Sequence, residues 1–496
     1  MFVRNCSIGT AMFAALAFGG LVRADVSPDI SPDISIVPRD MNVQQLDDMA
    51  PMASSAPTAT AAPTTPDSAL NSQLDKIPGF AATGLSLSGY VEGSLTYSAH
   101  PPAGNILADR SFDTKTESIQ FDAVNLLFAR KIDTTSPFDV GFVLEQYYGW
   151  DAAYLHSNGL TTVSNASQAG RFVGPGTGST ATIHPKAQYD LSQASVSLSF
   201  GKVGNGLIVT GGKFLSPAGY ELINAQANDT ATVASKDPGT GSGLYSHSYI
   251  FQEEPFSLTG LVGTYNLLDP TSLQQVSFTG GISRGWDQST EDDNGDIDFV
   301  GKLKYTYSHK VLLALTGITG NEQPSGSLGI SPITALPSTA QDGWRTLLDF
   351  VGSYAYSDQL FLGVNGMFAW QAQDKNVLDG INGLGYGGTG VWYGAAVYAK
   401  YAPSQYVTFN ARLEWFDDQN GGAPYQLTSS PANVYASNQF YEVTIGCAIK
   451  PFPNDKILSG FTIRPEGRWD YSDHAAFNGG AQHDQWTAAV EAYFAF

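Results

Sequence analysis

The chain has 496 residues, a formal net charge of −21, 14% charged residues and 12% aromatic ones. An acidic balance of this size leaves no basic footprint, which excludes nucleic acid as a partner. The charged fraction is well below the roughly 25% of average soluble domains, yet no run of about 20 apolar residues follows the N-terminus, which argues against a helical membrane protein.

The first 24 residues read as an export signal. Arg4 supplies a positive start, residues 8–21 a short apolar core, and Val22-Arg23-Ala24 a small residue for cleavage before Asp25. Cys6 precedes the apolar core, the wrong place for a lipoprotein cysteine. Its removal leaves Cys447 alone, so neither an intramolecular disulfide nor a cysteine metal cluster is expected. Residues 25–80 are rich in Pro, Ser, Ala and Thr and repeat Ser-Pro-Asp-Ile at Ser27 and Ser31. Such a segment buries too little apolar surface to offset its ordering entropy, so it is expected to be a disordered periplasmic tether.

From Gly84 onward, apolar and polar residues alternate. Leu85, Leu87, Val91 and Leu95 oppose Ser86, Ser88, Glu92 and Ser94. Successive side chains of a strand point to opposite faces, so this pattern suits a wall with oil on one side and water on the other. Sixteen such stretches begin near residues 84, 118, 138, 188, 205, 257, 274, 297, 311, 344, 359, 388, 406, 438, 456 and 482. Their connections alternate long and short: 98–117 then 131–137, 216–256 then 268–272, and so on to 472–481. Short turns at one rim and long loops at the other are what bacterial outer-membrane barrels show. The predicted fold is all-β: a transmembrane antiparallel up-and-down barrel of about 16 strands over residues 81–496, with short periplasmic turns and long extracellular loops.

Tryptophan positions agree with this topology. Trp150, Trp286, Trp370, Trp415 and Trp469 fall at the ends of outward-running strands, and Trp344, Trp392 and Trp486 at the starts of inward-running ones. All eight would lie at the loop-side rim, where indoles favour the membrane interface. An aromatic girdle is therefore expected there, with Phe200, Tyr356, Tyr401 and Phe496 forming part of the opposite one.

The stretch 457–471 places Arg464, Glu466, Arg468 and Asp470 on one face and Ile457, Phe461, Ile463, Trp469 and Tyr471 on the other. Facing lipid, each basic residue near the midplane would cost about 2–4 kcal/mol, so the charged row must face the lumen. The same argument turns Arg412 and Glu414 inward, and Glu442 and Lys450 between them, while Cys447 faces lipid. Lys213, Lys302, Lys304, Lys400 and Glu491 join the predicted pore lining, beside Glu92, Glu145 and Asp349. Two readings of the mixed-sign wall stay open: a transverse field that orients solutes and sets ion selectivity, or charges that pair to hold the barrel's shape.

The other motifs point to no chemistry. Asp287, Glu291, Asp292, Asp293, Asp296 and Asp298 form an acidic loop, but their spacing misses the helix–loop–helix calcium pattern, so no metal is expected. Gly383-x-Gly385-x-x-Gly388 matches a dinucleotide fingerprint by letters, but it has no βαβ context and reads as a flexible loop. The histidines show no ligand spacing and no G-x-S-x-G motif is present, so neither a catalytic residue nor a cofactor is expected.

Several segments together resemble the OmpL-like β-barrel porins of Gram-negative bacteria. They are Gly212-Lys213-Phe214-Leu215-Ser216-Pro217-Ala218-Gly219-Tyr220-Glu221, Gly285-Trp286-Asp287 with Asp293-Asn294, Arg412-Leu413-Glu414-Trp415-Phe416-Asp417-Asp418, and the Arg464–Asp470 row. The resemblance spans residues 84–496. It implies a water-filled channel in the bacterial outer membrane for passive diffusion of small hydrophilic solutes or ions. A sugar- or peptide-selective channel and a non-conducting structural or adhesive barrel are the alternatives. By analogy with general porins, the third external loop, 216–256, would fold inward as the constriction, with Glu221, Lys236, Glu253 and Glu254 as its charged groups. Lipid, lipopolysaccharide and a homotrimeric arrangement are the implied partners.

The last fifteen residues place Trp486, Ala488, Val490, Ala492, Phe494 and Phe496 on one face, and they end on an aromatic. This suits a closing strand that the outer-membrane assembly machinery reads through Phe496.

Overall fold

The computed structural model describes residues 69–107, 109–155, 157, 188–230, 239–292, 294–308, 310–322, 343–379, 385–419, 423 and 437–496. The expected signal peptide, most of the tether, Lys236, Asp293 and Gly383 lie outside these residues. At the end of the expected tether, Ala69–Leu74 forms a short helix, α1.

Sixteen strands follow in order: β1 (Leu85–Ser98), β2 (Ile119–Arg130), β3 (Asp139–Gly149), β4 (Gln188–Phe200), β5 (Leu207–Leu215), β6 (Ser257–Asn266), β7 (Gln274–Ser283) and β8 (Asp298–Tyr307). The second half comprises β9 (Val311–Asn321), β10 (Trp344–Ala355), β11 (Leu360–Asp379), β12 (Gly385–Ser404), β13 (Val407–Asp418), β14 (Asn438–Ile449), β15 (Phe461–Ser472) and β16 (Asp484–Ala495). Each pairs antiparallel with its sequence neighbours, and β1 pairs with β16 from Tyr90↔Ala495 to Ser98↔Thr487, which closes the barrel. Beyond β16, Gly89 and Phe496 exchange backbone bonds of 3.2 and 2.9 Å. Closure removes the free edge that would otherwise template aggregation.

The pleat sets the two faces. Outward positions carry exposed Leu413, Ile445, Val490 and Phe409, an apolar band suited to lipid. Cys447 lies half-buried on that same face, opposite Phe409. Aromatics rim the band on the loop side: Trp469 stands 5.8 Å from Trp486, Tyr393 5.6 Å from Trp415, and Phe368 5.7 Å from Trp370, with Trp344 exposed nearby. At the turn side, Tyr356 and Tyr401 are exposed, and Phe200 packs 5.5 Å from Phe138.

Three tryptophans depart from the expected girdle. Trp286 and Trp392 are buried inside the barrel in one apolar cluster with Tyr249, Phe416 and Phe440, and the Arg345 guanidinium lies 4.6 Å over the Trp286 ring. Trp150 packs inward against Tyr154 and donates to Thr114 Oγ1 at 3.2 Å, within the loop layer. Position near the rim selects a height on the barrel; residue parity and loop packing select the face.

Two strand boundaries differ from the sequence reading. The glycine-rich stretch read as a flexible loop belongs largely to the hairpin of β11 and β12, where Asp374 pairs with Gly388 and Asp379 with Gly385. Strand β15 starts at Phe461, after a 3-10 turn at Leu458–Gly460, so Ile457 precedes the strand.

Candidate functional site: a loop bound to a charged inner wall

The pore interior is organised by β13, β14, β15 and β16. In register, Glu414, Glu442 and Asp470 lie side by side across β13, β14 and β15; two residues nearer the turns, Arg412, Thr444 and Arg468 form the next row. Adjacent carboxylates would repel one another, and the arginine row answers them. Arg412 reaches Glu442 at 2.8 Å, and Arg468 reaches Asp470 at 2.8 Å and Glu442 at 3.7 Å. Further toward the turns, Arg464 pairs with Glu491 of β16, with one bond at 2.6 Å.

These inward groups do not stand bare in the lumen. The side chains of Arg412, Glu442, Arg468 and Asp470 are wholly covered. The cover is the β5–β6 loop, residues 216–256, which contains the short helices α2 (Ala225–Thr230) and α3 (Tyr249–Gln252). Glu414 accepts the backbone N–H groups of Tyr249 and Ile250 at 2.7 and 2.8 Å. Glu466 accepts those of Tyr245 at 2.8 Å and Ser246 at 3.2 Å. In the other direction, Arg412 donates to Ser246 O at 2.8 Å, Arg464 to Leu244 O at 3.1 Å and Arg468 to His247 O at 2.5 Å. The expectation that these residues line the lumen therefore needs correction: they face inward, but they are buried against one another and the loop backbone. A buried charge must be paired or hydrogen-bonded, and here the loop supplies the missing partners.

Wall glycines make room for this contact. A Cβ at Gly394 would lie 3.1 Å from Ile250 Cγ1, one at Gly446 would lie 3.0 Å from Leu244 Cδ2, and one at Gly363 would collide with the Tyr220 ring. On the loop itself, Gly243 has φ +73°, and a Cβ there would stand 2.7 Å from the Asn410 amide.

The proposed constriction groups fall into two places. Glu221 joins the ladder: Arg412 donates to it at 2.9 Å, Tyr398 at 3.2 Å, and His247 Nδ1 lies 2.8 Å away. Burial would raise its pKa, but the Arg412 charge and the His247 contact outweigh burial and bring it down to about 2. Glu254 lies near Asp349 and Lys302 on the far wall; burial first, then the Asp349 charge, pushes its carboxyl well above the usual range. Glu253 is also fully buried.

The lysines hold other parts of the loop or strand. Lys302 donates to Pro217 O at 2.6 Å, Lys400 to Asn228 O at 3.0 Å, and Lys213 to Leu191 O at 2.7 Å. Lys450 lies 3.2 Å from Asp229, a loop carboxylate that also accepts from Tyr493 at 2.7 Å. Lys302, Lys304 and Lys450 keep part of their surface open. The neighbouring residues Glu92, Glu145 and Asp349 face inward and are buried.

Sequence reasoning missed the first external loop. Arg110 donates to Asp470 at 2.6 Å and to Thr487 at 3.2 Å and pairs with Asp113, while Phe112 packs 5.1 Å from His247 and 6.0 Å from Phe251. Loop 99–118 therefore packs on loop 216–256 inside the barrel. The available signal was compositional: Phe112, Tyr249, Ile250, Phe251 and Phe256 are too apolar for loops that only face water.

The family comparison adds its own finding. Residues 84–496 match the model described as "Putative beta-barrel porin-2, OmpL-like". The chain belongs to this porin family. It is an outer-membrane porin, a channel of the bacterial outer membrane, and its fold and family are those of a channel protein. Comparison with curated proteins returned no match. Among solved structures, it is similar to the outer membrane channel DcaP of Acinetobacter baumannii, at 14% identity and TM-score 0.46 over 83% of this chain and 97% of that one. OmpF of Salmonella typhi, in complex with daunomycin, aligns at 11% identity and TM-score 0.48 over 84% and 99%. OmpT of Vibrio cholerae, in its trimer form, aligns at 9% identity and TM-score 0.44 over 83% and 99%.

Proposed function

We propose that this porin passes small hydrophilic solutes and ions by passive diffusion, through an aperture set by loop 216–256. The observation that carries this reading is the loop's attachment to the inner wall by paired carboxylates and arginines on β13 and β15. A loop held at both its backbone N–H and its C=O groups keeps a fixed position, which a selective aperture requires. Glu221 serves in this reading as the ion-paired anchor of the constriction, and Glu253 and Glu254 as buried groups beneath its surface. Lys302, Lys304 and Lys450 supply the open charge along the solute path.

The protein spans the outer-membrane bilayer, its lipopolysaccharide leaflet included, with its aromatic rims at the two interfaces. Assembly machinery engages β16 through Phe494 and Phe496, and the working unit is a homotrimer. Replacing both aromatics by Ser is expected to impair membrane insertion while leaving export intact; normal surface assembly of that variant would count against the signal. The channel itself is tested with the purified protein in planar bilayers, by ion substitution, and in liposomes swollen with neutral sugars of increasing size. Discrete conductance steps and a sharp size cut-off are expected. A folded, heat-modifiable barrel without conductance would leave the structural or adhesive reading, whereas saturation by one sugar or peptide would mark a substrate-selective channel.

A further inference from the structure

The tip of the first external loop is held in a conformation that its own backbone resists. Among the described residues, seven non-glycine residues have φ in the left-handed region, and four of them, Asn105, Asp109, Phe112 and Glu117, lie in loop 99–118. Phe112, at φ +69°, is the severest case, because a bulky side chain there is a genuine outlier. The Asp113 N–H donates to Ser111 O at 2.9 Å across it, so residues 111–113 form a γ-turn of the rare, strained hand.

The seat of this tip is also short of polar partners. Arg110, Ser111, Phe112 and Asp113 are all buried, yet Asp109 Oδ2, Arg110 Nε, Ser111 Oγ and Asp113 Oδ1 have no hydrogen-bond partner among the described residues. Buried polar groups normally find one. Two attachments offset these costs. The Phe112 ring fills a pocket of Tyr154, His247, Phe251 and Phe256, with centroids 5.5, 5.1, 6.0 and 5.7 Å away. Arg110 holds Asp470 at 2.6 Å and Thr487 at 3.2 Å, and Asp470 also accepts from Tyr249 Oη at 2.8 Å. Gln252 Nε2 donates to Asp109 O at 3.3 Å. The tip therefore bears on segment 247–252 of the constriction loop and on the wall that binds it.

We propose that loop 99–118 is a releasable latch on the constriction, with Arg110 and Phe112 as positioning residues that keep segment 247–252 on the β13–β16 wall. This rests on the channel reading above. Strained backbone persists only where surrounding contacts over-determine it, so the latch has two states. Seated, the tip fills part of the barrel interior and supports the aperture. Released, it relaxes Phe112, gives its unpartnered polar atoms to water and leaves a wider passage. Strain and unmet bonds weigh against the aromatic and ionic attachments, so both states are visited in the working channel.

A thiol at the tip reads the release. Ser111→Cys in a Cys447→Ser background is treated with a charged, water-soluble methanethiosulfonate, beside Ala99→Cys at an exposed position of the same loop. The Ser111→Cys thiol is expected to react at least about tenfold more slowly than the Ala99→Cys thiol, yet to completion while the barrel keeps its heat-modifiable mobility. Adding Arg110→Gln should speed its reaction at least about tenfold, because a charge-assisted bond to Asp470 is lost; Arg110→Lys should restore most of the protection. In planar bilayers, Arg110→Gln and Phe112→Ala should each raise the occupancy of a larger conductance level that wild type visits briefly. A Ser111→Cys thiol that never reacts in the folded barrel, or that reacts as fast as the Ala99→Cys thiol, would overturn the latch even if the Arg110 variants fail to fold. So would an unchanged wild-type conductance level in folded Arg110→Gln. Absence of current, with the expected thiol rates, would overturn the channel reading and with it the latch's hold on an aperture.

Discussion

The two sides of the pore hold the same loop in different ways. The wall of β13–β16 binds loop 216–256 with charge and direction: Glu414 and Glu466 each take two backbone N–H groups, and Arg412 ties Glu221, Glu442 and Ser246 O together. The wall of β8–β11 meets it mainly with apolar surface, where Val300, Ile318, Leu347, Val351 and Met367 cluster with Tyr220 and Ala218. Among the described residues, three polar points supplement that side: the Pro217 carbonyl, which accepts from Lys302 and Thr316, the Gly219 N–H, which donates to Asp349, and the Tyr220 N–H, which donates to Asn365 Oδ1. Apolar contact supplies stability without direction. Charge-assisted bonds also fix where the loop sits. The β13–β16 wall therefore sets the aperture, and the β8–β11 wall supports it.

Substitutions on the two walls should separate these roles. Arg412→Met removes the hub and leaves Glu221 and Glu442 buried without their strongest partner, a loss of about 3–5 kcal/mol. Lower thermal stability in detergent and enlarged, noisy single-channel currents are expected; quiet wild-type currents would show that the loop stays put without the hub. Leu347→Ala, on the supporting wall, should cost about 2–5 kcal/mol through the cavity it leaves. It should lower stability without changing mean conductance, and a change in conductance equal to that of Arg412→Met would erase the distinction between the walls.

Glu414→Gln keeps the shape but removes the charge that accepts from Tyr249 and Ile250. A hydrogen bond to a charged group contributes about 1.5–3 kcal/mol, so faster loop exchange at the α3 segment is expected, measurable by hydrogen exchange at those two amides. Unchanged protection there would mean that the carboxylate does not hold the loop.

Acidity gives the mildest effect near neutrality. The folded-state pKa of Glu221 lies at about 2, below its unfolded value. Its contribution is therefore present above the ordinary carboxylate range of about 4.3 and is lost as pH falls toward 2. Conductance should be flat from pH 7 to 5 and change only below about pH 4. A transition between pH 6 and 7 would point to a different anchor.

Most of the barrel was legible because a pleated strand has a period of two and lipid demands apolar side chains at every second position. The Arg464–Asp470 row is the clearest case: four alternating charges cannot face hydrocarbon, and all four are inward. The same rule contained more than was taken from it. Trp392 shares parity with Tyr398 and Lys400, which marks it as inward although it lies at the rim. The extension of β11 and β12 was hidden because glycines such as Gly385 and Gly388 signal loops by composition, yet here they pair in register. The apolar residues of the two loops hinted that they pack inward, but the specific charge pairings had no local signature. Arg110 meets Asp470 across 360 positions of sequence, and Glu221 meets Arg412 across 191. Nothing in a window of residues reports which wall charges the two loops will meet.

The central claim is that loop 216–256, held on the β13–β16 wall, sets the size of the open pore. Deleting residues 225–245 removes α2 and the segment reaching Tyr245 while leaving all sixteen strands intact. Single-channel conductance of that variant in planar bilayers, beside wild type in the same salt, is the direct measurement. A severalfold rise in conductance with unchanged heat-modifiable mobility is the predicted result; an identical conductance from a correctly folded variant would contradict the claim.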